Sequence, residues 1–115
     1  EGQALAALWS DLSAGLEHTG VPSAAWLGMT RRLEEATRQL VEGARRQPEL
    51  PYWVAGDFLR ATALAMLSWS WLRIDAATAT ATDPARWQRA SEAMRHWVVP
   101  EFDMRLAIIQ ARLAA

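Results

Sequence analysis

The chain has 115 residues, a formal net charge of −1 and no cysteine, and 51% of its residues are hydrophobic against 22% charged. These values are typical of one packed globular domain, and they exclude an intrinsically disordered chain, a disulfide-stapled secreted scaffold and a multi-domain enzyme with its own cofactor fold. The near-zero charge argues against nucleic acid as a partner, and the lack of cysteine favours a cytoplasmic location.

Three clusters of turn-forming residues, at 20–22, 47–51 and 82–84, divide the chain into four segments. Alanine, leucine, glutamate and arginine dominate between them, and alternating runs of β-branched residues are absent, so we predict helices throughout. The predicted fold is therefore all-α, a single domain over 1–115 arranged as an up-and-down bundle of about four helices.

The first two segments have the pattern of amphipathic helices. Residues 2–18 carry one apolar stripe at helical spacing, and residues 23–46 carry a second stripe behind Ser23, a predicted N-cap. The stripe positions are Leu5, Leu8, Trp9, Leu12 and Leu16 in the first helix and Trp26, Met29, Leu33, Leu40 and Val41 in the second. The opposite face of the second helix spaces arginine and glutamate four residues apart, which predicts solvated ion pairs.

The third segment, residues 52–80, differs because residues 61–72 carry no charge and their apolar side chains do not keep to one stripe. A helix that is apolar nearly all round is typical of a buried position, and the uncharged stretch is too short to span a bilayer. We therefore predict the central helix of the bundle. Trp69 and Trp71 lie two residues apart and point to different sides, so we expect one of them to face a partner outside this domain.

The fourth segment begins at Asp83, a predicted N-cap, followed by Pro84 at the first helical position, where its missing N–H costs nothing. Apolar residues then recur every three or four positions from Trp87 to Leu113. Pro100 interrupts this face, and because the apolar pattern resumes in phase after it, we predict a kinked helix rather than a break.

Few residues have the spacing that a catalytic or metal site needs. His18 ends the first helix and His96 precedes Trp97 with no carboxylate or histidine at ligand spacing, so both are interpreted as surface or capping residues. Glu34 and Glu35 are adjacent on a helix and therefore splayed, which is a poor geometry for two carboxylates acting on one substrate. We predict no catalytic, cofactor-binding or metal residue.

One polar cluster is a candidate site, because Asp57, Arg60, Arg73 and Asp75 flank the apolar stretch of the third helix. Arg60 has two possible kinds of partner, Asp57 three residues before it, or Glu101 or Asp103 just beyond the Pro100 kink if the last helix packs alongside. The first interpretation is an ion pair that closes one end of the bundle. The alternative is an arginine offered to an anionic ligand or to another domain, since its planar fork makes bidentate contacts to carboxylate or phosphate.

The chain also carries seven tryptophans. Tryptophan and arginine are enriched at interface hot spots, whereas tryptophans spread over all the helices are typical of core packing. Trp69 and Trp71, beside Arg73, are the candidate interface residues if an interface exists.

Two stretches of the sequence resemble a known family. Gly56-Asp57-Phe58-Leu59-Arg60 opens a tryptophan-rich apolar helix, and Trp97-Val98-Val99-Pro100-Glu101 ends an apolar run in proline. This pattern resembles the extra helical domain at the C-terminus of bacterial acyl-CoA dehydrogenases of the 3-methylmercaptopropionyl-CoA dehydrogenase type, and the likeness covers about residues 25–113. Since the chain starts at Glu1 with no methionine, we expect it to be a segment of a longer protein.

The resemblance implies a parent enzyme that binds FAD and oxidises an acyl-CoA thioester at its α,β carbons, with a glutamate base in its other domains. No residue of this chain matches the flavin-binding or base-bearing motifs, so no catalytic residue is transferred and we expect this segment alone to bind no FAD. The implied partners are the upstream dehydrogenase domains of the same chain or a second subunit in a homo-oligomer.

Two functions follow from these observations. The first is a non-catalytic packing domain of a flavoenzyme, which predicts an exposed apolar patch with an arginine rim. The second is a small-ligand-binding helical module, such as the effector domain of a transcription regulator, which predicts a closed internal pocket lined by tryptophan. A free-standing helical enzyme is disfavoured because no nucleophile, base or metal cluster is present.

Overall fold

A computed structural model describes residues 2–115 and confirms the all-α bundle. Helix makes up 84% of the structure, and the described residues contain no strand. The helices are α1 (Gln3–Glu17), α2 (Ala24–Arg46), α3 (Leu50–Thr78) and a last helix whose two arms are α4 (Pro84–Ala93) and α5 (Glu101–Ala114). Within residues 2–115, no helix has the combination of length and apolarity that crossing a membrane requires.

The turn-forming residues end the helices where the sequence predicts. Gly20 adopts a positive φ of 69°, a left-handed conformation that glycine reaches without a Cβ clash, directly after α1. Asp83 caps α4, since its Oδ1 accepts a hydrogen bond from the Arg86 backbone N–H at 3.3 Å. Ser23 precedes α2 in the cap position, but its side chain makes no capping hydrogen bond, so the predicted role of its hydroxyl is wrong.

Pro100 bends the last helix as predicted, by 26°. The bend follows from the missing N–H of proline and from the clash between its ring and the preceding turn. Residues Met94–Val98 widen into a π-helical turn, in which the Val99 N–H donates to the Met94 carbonyl at 2.9 Å. The helix then resumes at Glu101, so its apolar face continues into the core.

The core is one cluster of side chains from α1, α2, α3 and α5. Its most buried side chains include Trp26, Leu33, Val54, Phe102 and Ile109. Trp9 of α1 meets Trp26 of α2 edge to face, with ring centroids 6.2 Å apart and an interplanar angle of 79°. The Trp26 Nε1–H donates to the Ala65 carbonyl at 2.9 Å and so ties α2 to α3.

Helix α3 contacts every other helix, yet the expectation that it is buried on all sides is wrong. Its Ala61, Leu64 and Ala65 are buried, whereas Leu59 on the opposite side is 71% exposed. The Cα positions span only 18 Å in the shortest dimension of the molecule. Since packed helix axes lie about 8–10 Å apart, this thickness accommodates two helix layers, and α3 keeps one face in water.

Candidate interaction surfaces

A network of four charged side chains joins α3 to α5. Arg105 donates to Asp57 at 2.9 Å and to Glu101 at 3.1 Å, and Arg60 forks onto both oxygens of Glu101 at 2.5 and 3.0 Å. The spacing explains the pairing, because residues three apart on α3 and four apart on α5 each share one helix face. The network is an interhelical clamp in which both guanidiniums are engaged by carboxylates.

The clamp perturbs its central carboxylate. The hydrogen bond from Arg60 is the main cause that lowers the pKa of Glu101 to about 2; desolvation opposes it, and a hydrogen bond from Arg105 lowers the pKa further. Of the two pairings considered for Arg60, the structure contains the one across to Glu101, while Asp57 pairs with Arg105 instead. Asp103 pairs with Arg32 of α2 at 2.6 Å.

The other members of the polar cluster lie in separate contacts. Arg73 stacks over the Trp69 ring, 5.3 Å from its centroid, and the Trp69 Nε1–H donates to the Leu12 carbonyl of α1 at 2.9 Å. Asp75 accepts from Arg95 at 3.3 Å. Asp57 and Arg60 therefore belong to the α3–α5 seam, whereas Trp69 with Arg73 belongs to the α1 side, and the four flanking charges do not form one site.

Trp71 lines a cleft of about 480 Å³ where α2, α3 and the last helix meet. The wall is mainly apolar and includes Trp26, Met29 and Leu72. At its polar edge Arg95 donates to the buried Ser91 hydroxyl at 2.7 Å. Trp69 and Trp71 are both half-buried, and the expectation that one of them faces a partner stays a prediction.

The open apolar surface lies elsewhere on α3. Seven uncharged, exposed residues of this helix recur at spacings of three and four and form what we call the α3 stripe: Tyr52, Ala55, Gly56, Leu59, Ala63, Met66 and Leu67. The exposed fractions of its large side chains are 83% for Tyr52, 71% for Leu59, 41% for Met66 and 38% for Leu67. Arg60 and Arg73 flank the stripe in the helical projection.

The two histidines and the Glu34–Glu35 pair lie at the surface of the molecule. No group of three or more histidines and acidic residues within 2–115 could hold a metal ion. His18 and His96 are both exposed and lie in different elements, and Glu35 of the adjacent glutamate pair is engaged by Arg38 at the surface of α2.

The sequence contained the signal for the α3 stripe, because its uncharged residues follow the helical repeat from Tyr52 onward. That signal could not be separated from the buried face of the same helix, which is also apolar. Comparisons with protein-family models, with curated proteins and with solved structures find no match to this chain.

Proposed function

We propose that this chain is a non-catalytic helical domain of an FAD-dependent acyl-CoA dehydrogenase-like enzyme, and that it packs domains or subunits together around the acyl-CoA-oxidising core. The observation that carries the proposal is the α3 stripe. Monomeric proteins rarely leave contiguous apolar patches larger than a few hundred Å² in water, and such patches mark interaction sites. The enzyme class comes from the resemblance of residues 56–60 and 97–101 to the accessory domain.

The charged surroundings of the stripe support a packing role. Arg60 and Arg73 flank it, and arginine with aromatic side chains is the composition of interface hot spots. The clamp through Glu101 fixes Arg60 in place, so its position beside the stripe costs little side-chain entropy on association.

The cleft beside Trp71 is poorly suited to the pyrophosphate of FAD. A dinucleotide pyrophosphate needs free cations or a row of backbone N–H groups at a helix start. The cleft beside Trp71 is mainly apolar, and its one lining cation, Arg95, is already paired with Asp75. In the proposal FAD is held by the other domains of the enzyme, and no catalytic step is assigned to residues 2–115.

The test is to express the complete open reading frame that encodes these 115 residues and to examine the purified protein. We expect a flavin absorption band and oxidation of acyl-CoA thioesters with an artificial electron acceptor. A protein without flavin, and without acyl-CoA oxidation when FAD is added, overturns the proposal.

The packing role is tested in the same protein with Leu59→Glu, which places a charge in the stripe. The matched control is Met104→Glu on α5, because Met104 is also an exposed apolar residue at 48% but lies outside the stripe. We expect L59E to lower the assembly state or the flavin content while M104E leaves both unchanged. Equal behaviour of the two variants contradicts a role for the stripe.

The second candidate function is the binding of a small ligand. It is favoured by the cleft beside Trp71, whose volume lies within the range of small-molecule sites. It is an open cleft rather than a closed pocket. The test is titration with the fluorescent apolar probe 1-aminoanthracene. Ala25 lines the cleft, so Ala25→Phe should fill it and abolish binding of the probe. The control is Ala24→Phe, which lies one residue earlier and outside the lining and should leave probe binding unchanged.

A further inference from the structure

The α3 stripe is self-complementary, because reversing it about the level of Ala61 sets its large residues against small ones. We propose that it binds the α3 stripe of a second copy of this chain, antiparallel, about a two-fold axis at the level of Ala61. The inference rests on the packing role proposed above and names the partner as an identical subunit. A two-fold interface uses the same patch on both copies, so that patch must be complementary to itself.

The register follows from residue size. When the two helices are antiparallel about the level of Ala61, each large residue of one copy meets a small residue of the other at the same height. The pairs are Tyr52 with Ser70, Met66 with Gly56, Leu67 with Ala55 and Leu59 with Ala63. Large residues set against small ones allow two helices to interdigitate without voids.

Gly56 leaves room for a large side chain of a second copy in this register. A Cβ placed on Gly56 would meet nothing within 4 Å in the single chain, so packing within one copy does not require glycine there. Glycine in a helix interior is nevertheless destabilising relative to alanine by roughly 0.5–1 kcal/mol. The open backbone at this position is the place where Met66 of the second copy packs.

The charges at the ends of the stripe favour the antiparallel orientation. In the proposed register Arg73 of one copy lies at the level of Glu49 of the other, and both side chains are exposed. A parallel pair would instead set Arg73 against Arg73 and Glu49 against Glu49. Like-charge juxtaposition at the stripe ends disfavours the parallel arrangement. In the antiparallel register the two copies of Arg60 lie near the two-fold axis, and each is already paired with Glu101 of its own chain.

The size of the surface predicts a weak dimer. The exposed fractions of the stripe residues correspond to roughly 500 Å² per copy, so a pair would bury about 1,000 Å² in total. An interface of this area lies at the lower limit for specific complexes, and it is typical of transient ones. We expect a dissociation constant in the micromolar range, with the rest of the enzyme strengthening the contact.

The first test is sedimentation velocity of this chain over a concentration series from the low to the high micromolar range. The chain has one contiguous core of its own, so we expect the 115 residues to fold without the rest of the enzyme. We expect a monomer–dimer equilibrium, and Leu59→Glu should raise the dissociation constant by about tenfold or more, since it buries a charge at the centre of the stripe. The control Met104→Glu should leave it unchanged. Far-ultraviolet circular dichroism checks that both variants are folded.

The second test fixes the register, and the absence of native cysteine makes it direct. Tyr52→Cys and Ser70→Cys are prepared as separate variants and oxidised alone and as a mixture. In the proposed register residues 52 and 70 of different copies are level, so the mixture should cross-link. Each variant alone should not, because its two cysteines would lie about 27 Å apart along the helices.

Three results overturn the inference: a chain that stays monomeric throughout, a dimer that L59E and M104E weaken equally, and cross-linking of Y52C with itself. If the chain is monomeric but binds the other domains of the enzyme through a contact that L59E abolishes, the stripe packs on the enzyme core and not on a second copy. These experiments need no flavin, so failure of the dimer is distinguishable from failure of the flavoenzyme assignment, which the absorption band reports.

Discussion

The two most buried tryptophans of the core differ in one respect that predicts different mutational behaviour. Trp9 and Trp26 are 2% and 1% exposed and contact each other, but only Trp26 has a hydrogen-bond partner for its indole N–H, the Ala65 carbonyl. Among the described residues, the buried Nε1 of Trp9 has none. Replacement of each by phenylalanine removes the same atoms and therefore isolates the contribution of the N–H group.

The smaller ring leaves a cavity in both variants, which we expect to cost about 1–2 kcal/mol of unfolding free energy. Trp26→Phe additionally loses one hydrogen bond, worth about 1 kcal/mol, so its total should be about 2–3 kcal/mol. Trp9→Phe instead removes an unpaired buried donor, whose burial costs about 1–3 kcal/mol, so the two effects should nearly cancel. W9F should therefore be close to the wild type and W26F clearly less stable.

Urea unfolding followed by far-ultraviolet circular dichroism measures the difference, since tryptophan fluorescence changes with the substitutions themselves. Trp97→Phe serves as the control, because Trp97 is 84% exposed and its replacement should change stability by about 0.5 kcal/mol or less. A W9F variant that is destabilised as much as W26F refutes the reasoning from the unpaired N–H.

Three further predictions concern the clamp, the glycines of α2 and the cap of α4. The pKa of Glu101 is lowered to about 2 from an ordinary value of 4.5, so its stabilising effect is complete above about pH 4.5 and is lost as the pH falls toward 2. The gap in urea midpoint between wild type and Glu101→Gln should therefore shrink over that window, and a constant gap would contradict the assignment. Gly28→Ala should raise stability by about 0.5–1 kcal/mol, because a new Cβ meets nothing, whereas Gly43→Ala should gain less, because its Cβ would lie 2.7 Å from the Leu50 side chain. Asp83→Ala should cost about 1 kcal/mol through the lost cap, and no change in thermal unfolding would show that the 3.3 Å bond contributes nothing.

The sequence predicted the elements well because the signals for helix ends are local. Gly20, Asp83 with Pro84, and the kink at Pro100 each act through the backbone conformation of one or two residues, so neighbouring helices cannot override them. Ser23 shows the limit of such local signals. A serine in the cap position satisfies a backbone N–H only when its hydroxyl is oriented toward it, and here it is not.

Contacts between helices were predicted only in part, because they depend on the register of one helix against another. Arg60 and Glu101 are 41 positions apart in the chain. The predicted pairing of Arg60 with a carboxylate beyond the kink is confirmed, because α3 and α5 run antiparallel and bring these residues to the same level. The real partner of Asp57, Arg105, lies one turn further along α5 and competes for the same carboxylate of Glu101. Sequence spacing predicted that Asp57 could pair with Arg60, but each of them pairs with a residue of α5 instead.

The exposed face of α3 is the part of the molecule that sequence reasoning missed, because both faces of the helix are apolar. A rule based on hydrophobicity treats both faces of α3 as equally buried, but only one face packs in the core, where Val54, Ala61 and Ala65 are fully buried. The large residues Tyr52, Leu59 and Met66 lie on the side away from the core. The fold of one chain therefore buries one apolar face of α3 and leaves the other in water.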